Sequence, residues 1–360
     1  MSELYIGVMS GTSLDGVDIA LCEIDAHNCK LISSHEYNFS HDIKEEILTV
    51  IAGTTTLEQV GSINAKLGLL FAKSINKFIE QFEIDPNKIK AIGLHGQTLW
   101  HAPHSEFPFS MQLGCPNIVS AQTGIQVISD FRNMDIANGG EGAPFAPAFH
   151  EFLFSSLEAK TAVVNIGGMA NITLLENELK GWDIGAGNVL LDSWIKRCKN
   201  LAYDRDGDFA QSGEINQELL EKFLDDDYFK QLPPKSTGRE YFNETWIANK
   251  LPMFQTITDE DIQRTLVELT AISIQRDIQK SDVSLLIICG GGAKNIFLMQ
   301  RLQELCECDV KISDALGISS DYMEAMAFAW LAYKRVHGEV VNLRSVTGAI
   351  KNSVLGGIYG

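Results

Sequence analysis

No stretch of this 360-residue chain reaches the roughly 18 uninterrupted apolar residues that a membrane-crossing helix needs. Met1 to Met9 also lack the basic start and long apolar core of a secretory signal. With neither feature, the chain is expected in the cytoplasm, without a membrane partner. Its seven cysteines, Cys22, Cys29, Cys115, Cys198, Cys289, Cys306 and Cys308, are an odd number and scattered. None forms a C-x-x-C pair or stands at a zinc-like spacing from histidine, so reduced and mostly buried thiols are expected. Basic residues are scarce as well: 29 Lys and Arg stand against 47 Asp and Glu, for a net charge of -18. Without a basic stripe, nucleic acid is excluded as a partner. A phosphate ligand is not, because backbone N–H groups and a divalent cation can hold it locally. Several motifs are missing too: G-x-x-x-x-G-K-[ST], a G-x-G-x-x-G between a first strand and its helix, and the protein-kinase H-R-D and D-F-G. Gly290 to Gly292 come late for a dinucleotide turn and have no acidic residue at the right distance beyond them.

What is present is an ordinary globular composition, 45% hydrophobic and 21% charged, at a length suited to two domains. Leu4–Met9, Val17–Ile24 and Lys30–Phe39 are predicted as three successive strands. Val60, Ile63, Leu67, Leu70, Phe71, Phe78, Ile79 and Phe82 keep the spacing of one helix face, which Asp85-Pro86 ends. A strand over Ile89–Leu94, a loop rich in His and Pro from His95 to Pro108, and a strand over Val127–Ser129 follow. From Thr161 the order recurs: strands over Ala162–Ile166, Ile172–Leu175 and Leu179–Ile184, a helix over Val189–Lys199, a long helix through Ile262 to Ile278, a strand over Leu285–Cys289, and a helix from about Asn295. The repetition is of architecture and not of letters. Two similar α/β halves with a ligand cleft between them are the expectation.

Three turns carry the chemistry. "SGTSLDG" (Ser10 to Gly16) and "IGGMAN" (Ile166 to Asn171) join strands at matching places in the two halves, and "CGGGAKN" (Cys289 to Asn295) lies at a strand-to-helix junction. Glycine lets a backbone approach a ligand, while hydroxyls and successive N–H groups form an anion-binding hollow. Ordinary surface turns use the same residue types, so one such turn decides nothing. Three such turns point to a nucleotide, with a sugar or base lying against the bare backbone of the third.

Seven segments in order carry a closer likeness: "MSGTSLDGVD" at the start, "LHGQTLWH" at 94–101, "DFRNMDIANGGEGAP" at 130–144, "NIGGMANIT" at 165–173, "WDIGAGNVLLD" at 182–192, "CGGGAKN" at 289–295 and "VTGA" near the end. Over essentially its whole length the chain resembles the anhydro-N-acetylmuramic acid kinases, of the sugar kinase, Hsp70 and actin superfamily. Glu141 and Ala186 depart from that pattern, which usually has glutamine and proline there. The resemblance implies an α/β fold of two ribonuclease H-like (actin- or hexokinase-like) domains around an interdomain nucleotide cleft. The expected division is 1–130 and 131–344, with a tail from about 345 to 360 returning to the first domain and Gly139, Gly140 and Gly142 as hinges. It also implies ATP and Mg2+, a homodimer, and a place in cell-wall recycling: 1,6-anhydro-N-acetylmuramic acid, water and ATP yield N-acetylmuramic acid 6-phosphate and ADP.

Asp183, at a strand end before a glycine turn, is the expected catalytic base; its other reading is an Asx-turn or helix cap. The resemblance assigns ATP to Gly11, Thr12, Ser13, Leu14, Asp15, Gly16, Val17 and Asp18, to Gly167, Gly168 and Asn171, and to Gly290, Gly291, Gly292 and Asn295. It assigns the sugar to His95, Gln97, Thr98, Arg132, Asp135, Gly185 and Asn188. An arginine at 132 forks onto a carboxylate, here the lactyl group, unless it pairs with Asp135. The histidines, His95 and His101, are given no catalytic role and read equally well as satisfied hydrogen-bonding residues. Asp15, Asp18 and Glu324 are the carboxylates expected to hold Mg2+ through water, although Asp321 and Glu324 also have the spacing of a helix capping box. An ordinary sugar or carboxylate kinase, or a non-catalytic binder of the same superfamily, stays open at this point.

Overall fold

The computed structural model describes every residue except Thr12, Ser13, Asp15, Thr54, Asn177, Pro234 and Gln255. It divides into two compact units, Met1–Leu153 with Tyr322–Gly360, and Phe154–Asp321. The division therefore falls at 153/154 and 321/322, and not at 130/131 and 344/345. The physical reason is the helix Met323–Val336, which packs on the first sheet.

In the first unit, β1 (Glu3–Ser10), β2 (Gly16–Ile24) and β3 (Cys29–Asn38) run antiparallel in chain order. β4 (Ile89–Ala102) adds parallel to β1, and β6 (Val127–Ser129) parallel to β4. The C-terminal strand Gly357–Tyr359 closes that side antiparallel to β6, while β5 (Phe109–Leu113) pairs with the far end of β4. The expected loop from residue 95 is thus strand as far as Ala102. Its polar letters hid it, because His95 and Gln97 are buried despite their chemistry. Gly96, at φ +78°, carries the irregularity where the pairing with β1 slips. The long helix Leu57–Gln81 starts with a Thr56/Gln59 capping box and buries Ile63, Leu67, Phe71 and Phe78 in this unit's core.

The second unit repeats the scheme. β7 (Thr161–Ile166), β8 (Met169–Leu175) and β9 (Lys180–Ala186) are antiparallel neighbours, and β10 (Leu285–Cys289) and β11 (Asp309–Ile312) extend the sheet parallel to β7. Its core draws on the helices Val189–Lys199 and Asp259–Ile278, through residues such as Leu190, Trp194, Leu266 and Ile274. All seven cysteines are free. Among the described residues no helix is long and apolar enough to cross a membrane.

Two glycines let the helix Met323–Val336 lie against the first sheet. A Cβ on Gly7 would fall on the backbone of Ala325 and Ala329, and one on Gly93 on the carbonyl of Phe328. Overpacking a contact of this kind costs about 1–3 kcal/mol or more. Gly93→Ala should therefore lower the urea midpoint of the first unit's unfolding, whereas a substitution in open space, Gly124→Asn, should move it little.

Candidate active site

In the first unit the sheet ends place a buried polar cluster. Ser10, at the end of β1, donates to Gln97 Oε1 at 2.7 Å, and Gln97 Nε2 donates to the Gly11 carbonyl at 3.3 Å. Gln97 is 1% exposed, so both ends of its amide are committed to the turn that follows β1. Of that turn, Gly11, Leu14 and Gly16 are described, while Thr12, Ser13 and Asp15 lie outside the described residues. Leu14 sits at φ +59° and is buried. Val17 and Asp18 continue into β2, with Asp18 opposite Met9.

Arg132 opens the short helix Arg132–Ala137 beyond β6. Its Nε and Nη2 both face His95 Nε2, at 3.3 and 2.9 Å, and its Nη1 donates to the Gly142 carbonyl at 2.8 Å. A guanidinium has five N–H groups, so one remains on each terminal nitrogen, side by side at the end of the fork. Because His95 Nε2 accepts, the ring proton belongs on Nδ1. Burial and the Arg132 charge push the imidazole down to about 3, so it stays neutral. Burial also lowers Arg132 to about 10, against the opposing pull of Glu324. Glu324 retains solvent-exposed surface, yet protein crowds its carboxylate enough to raise its pKa, with Arg132 drawing it back. The capping box proposed for Asp321 and Glu324 does not form: Tyr322 is the N-cap and its side chain does not cap the helix, while Asp321 pairs with Lys294 at 2.8 Å.

Asp135 takes neither a salt bridge to Arg132 nor an open position. It is 3% exposed, and its carboxylate accepts from Gly142 N at 2.8 Å and Thr347 Oγ1 at 2.9 Å. Gly140 leaves no room for a side chain beside that carboxylate, so these glycines wind the chain around Asp135 inside the first unit. They do not lie where the units divide. Thr98 accepts from Gln112 Nε2 at 3.4 Å, and His101 Nδ1 lies 2.9 Å from Ser110 Oγ. Glu141, one of the two departures, is exposed and 3.6 Å from His104 Nε2.

In the second unit, strand register gathers the groups. Cys289, Asn165, Asn171 and Asp183 are direct neighbours across β10, β7, β8 and β9. A bulge at Ile184 re-aims β9 next to Asp183. The edge of β9 is covered by a later segment: Asp183 N donates to the Lys235 carbonyl at 3.0 Å, and Tyr228 OH donates to the Asp183 carbonyl at 2.8 Å. Thr237 N and Ser236 Oγ both donate to Asp183 Oδ2 at 3.0 Å. Burial raises this carboxyl's pKa, and those two bonds with the Lys235 charge oppose the rise. Asp183 is therefore not the cap of the helix Val189–Lys199; Asn188 holds that position. The segment Lys235–Thr237 was missed in the sequence, where no periodicity or glycine pattern marks it.

Three glycine turns of this unit brace one another. Gly187 N and Asn188 N donate to the carbonyls of Gly168 and Gly167, at 2.9 and 2.8 Å, and Asn188 Nδ2 donates to Ile166 O at 3.2 Å. Gly290, at φ +80°, and Gly292 press on Ile166, with no room for a Cβ. Beside them opens a cavity of about 510 Å³ lined by Asn188, Asp192, Gly291, Lys294 and Asn295, with Tyr203 to Asp206 along its rim. Asn295 also caps the helix Ile296–Leu305 through Leu298 N. Burial lifts Asp192 to about 6, against the pull of Arg239. Gly185 packs against Phe229, whose ring lies 2.8 Å from where its Cβ would stand. Ala186 is buried and accepts from Thr270 Oγ1 at 3.4 Å, so the departure from proline fits locally.

The tautomer of His95 is open to direct measurement. Its imidazole should remain neutral, protonated on Nδ1, from about pH 5 to 8, the range where an ordinary histidine titrates. Nitrogen-15 shifts that titrate within that range would rule out the Arg132 arrangement.

Comparison with known proteins agrees with this geometry. A sequence model of the anhydro-N-acetylmuramic acid kinases matches residues 3–360. The chain is similar to the protein of that name from Sulfurovum sp., 54% identical over 99% of both chains, and to the one from Sulfurimonas denitrificans, 54% identical over the whole of each. Among solved structures, component A of the (R)-2-hydroxyglutaryl-CoA dehydratase of Acidaminococcus fermentans superposes with a TM-score of 0.50 at 14% identity, covering 93% of this chain and all of that one. The fold is thus a pair of ribonuclease H-like units, and with that fold, these turns and this full-length match, the chain belongs to the anhydro-N-acetylmuramic acid kinase family.

Proposed function

We propose that this chain uses ATP and water to open the 1,6-anhydro bridge of 1,6-anhydro-N-acetylmuramic acid and to phosphorylate O6, giving N-acetylmuramic acid 6-phosphate and ADP. One observation carries the reading beyond the family likeness. Asp183 is clamped through Oδ2, and among the described residues no hydrogen bond goes to Oδ1. A half-buried carboxylate with a raised pKa, one oxygen fixed and the other open, is what a general base needs.

In this scheme Asp183 takes a proton from water as the water oxygen bonds to C1. The C1–O6 bond breaks, and O6 attacks the γ-phosphorus as the bond to ADP breaks. The leaving oxygen is captured by phosphorus, so the second carboxylic acid of a glycosidase is not required. The free end of the Arg132 fork takes the lactyl carboxylate, and His95 holds Arg132 in that orientation. Thr98 faces the sugar, while Gln97 serves by bracing the first turn.

Phosphates are assigned to the described residues Gly11, Leu14, Gly16, Val17 and Asp18 of the first turn, and to Gly167, Gly168 and Asn171 of the second. The adenosine is assigned to the cavity beside Gly290, Gly291, Gly292, Asn295 and Asn188, whose volume of about 510 Å³ lies in the usual range for a small-molecule site. The described residues hold no group of three or more metal-ligating side chains. That fits Mg2+ on a nucleotide, which keeps several waters and takes only one or two carboxylates. Asp18 and the open Glu324 are the described candidates; Asp15 lies outside the described residues. Bound there, the ion would offset phosphate charge. The same reading includes a cytoplasmic location and a homodimer, which light scattering would show as twice the chain mass of 39.7 kDa.

Asp183→Asn should abolish ring opening and phosphorylation together, by about 10²- to 10⁴-fold or more. In ¹⁸O-water the label should enter the anomeric hydroxyl of an initially inverted product and be absent from its phosphoryl group. A phosphorylated sugar with its bridge intact would overturn the scheme.

Ser236→Ala tests the clamp separately. Removing a bond to the charged form leaves burial less opposed, so the pKa of Asp183 rises. Because the base acts unprotonated, the acid-side fall of kcat/KM should move to higher pH. An unmoved acid limb would detach Ser236 from the base.

A further inference from the structure

The loop that holds Asp183 carries a cation with no assigned role. Arg239 lies two residues beyond Thr237, whose amide is on Asp183 Oδ2. Its guanidinium folds back over the second glycine turn, with Nη2 at 3.5 Å and Nε at 3.7 Å from where a Cβ would stand on Gly168. The side chain is exposed, and no described residue takes a hydrogen bond or an ion pair from it. The chain has 47 acidic residues against 29 basic ones, so an arginine has many carboxylates to choose from. This one instead lies over a bare stretch of backbone, close enough to Asp192 on the cavity wall to draw that carboxyl down. Glycine amides and a guanidinium fork facing the same space make a site for a phosphoryl group.

Resting on the nucleotide reading above, we infer that Arg239 binds the γ-phosphate of ATP and couples its presence to the seating of Asp183. The γ-phosphate is favoured over the β because the same loop ends on the carboxylate at the reacting centre. Two residues span at most about 7 Å of chain, so an anion that fixes Arg239 also fixes the Thr237 amide. A triphosphate in place then reinforces the Thr237 bond that orients the water-activating base. This would suppress ring opening without phosphoryl transfer. Arg239 touches the transferred group and, through Thr237, is also a positioning residue for Asp183.

The test is isothermal titration of the full chain with Mg-ADP and with Mg-adenylyl imidodiphosphate, for the natural chain, Arg239→Ala and Arg239→Lys. Loss of a charge-assisted bond should weaken the triphosphate analogue about 10- to 100-fold in Arg239→Ala while ADP changes by less than about twofold. Arg239→Lys should recover part of the loss, since lysine restores the charge without the fork. In the sugar assay at saturating nucleotide Arg239→Ala should also lower kcat for ring opening and phosphorylation together, which loss of affinity by itself does not produce. Equal weakening of both nucleotides, or none, would overturn the inference while leaving the nucleotide reading intact. Failure of the natural chain to bind either nucleotide would overturn both.

Discussion

The first unit depends on a close approach of backbones. The helix Met323–Val336 rests on β1 and β4 at Gly7 and Gly93, where any side chain would collide with its main chain. Seated that deeply, it delivers Phe328 against the rings of His95, Phe131 and Phe145, at 4.7, 5.5 and 6.4 Å between centroids. The same seating sets Glu324 in the field of Arg132. The geometry of the arginine fork is thus inherited from two missing Cβ atoms. Hydrophobic packing supplies the attraction, but the glycines set how far it can proceed.

The second unit reaches comparable precision by a different route. There the glycine turns exchange hydrogen bonds with each other, and a segment remote in sequence closes over the free edge of β9. Asp183 is a strand residue whose environment is written by Lys235, Ser236 and Thr237. Its raised pKa records burial only partly offset by those donors.

Much of this was legible in the letters. The three successive strands of each unit, the helix Val189–Lys199 and the strand Leu285–Cys289 follow from apolar periodicity, and the structure places them within a few residues. Periodicity failed where burial is polar: the second half of β4 has the composition of a loop, yet His95 and Gln97 are buried there, bonded to Arg132 and Ser10. Domain limits were out of reach because nothing local marks a helix near residue 323 as belonging with strands near residues 7 and 93. The glycine turns and the place of Asp183 on a strand were likewise legible. Gln97 and Asp135 are buried in hydrogen bonds within the first unit, and Lys235 to Arg239 carry no pattern that would single them out.

The order of the segments along the chain has a consequence for how the protein is made. The second unit occupies one continuous stretch, residues 154–321, enclosed in sequence by the two parts of the first. During synthesis on the ribosome, a vectorial process, the strands of residues 3–129 emerge early but wait for the helix Met323–Val336 and the strand Gly357–Tyr359, which follow the whole second unit. Until then the face around Gly7 and Gly93 has nothing to cover it, while the unit encoded later already has its whole sequence available. The earlier-born unit is therefore the later to mature, and its open sheet is the surface that a chaperone would meet on the nascent chain.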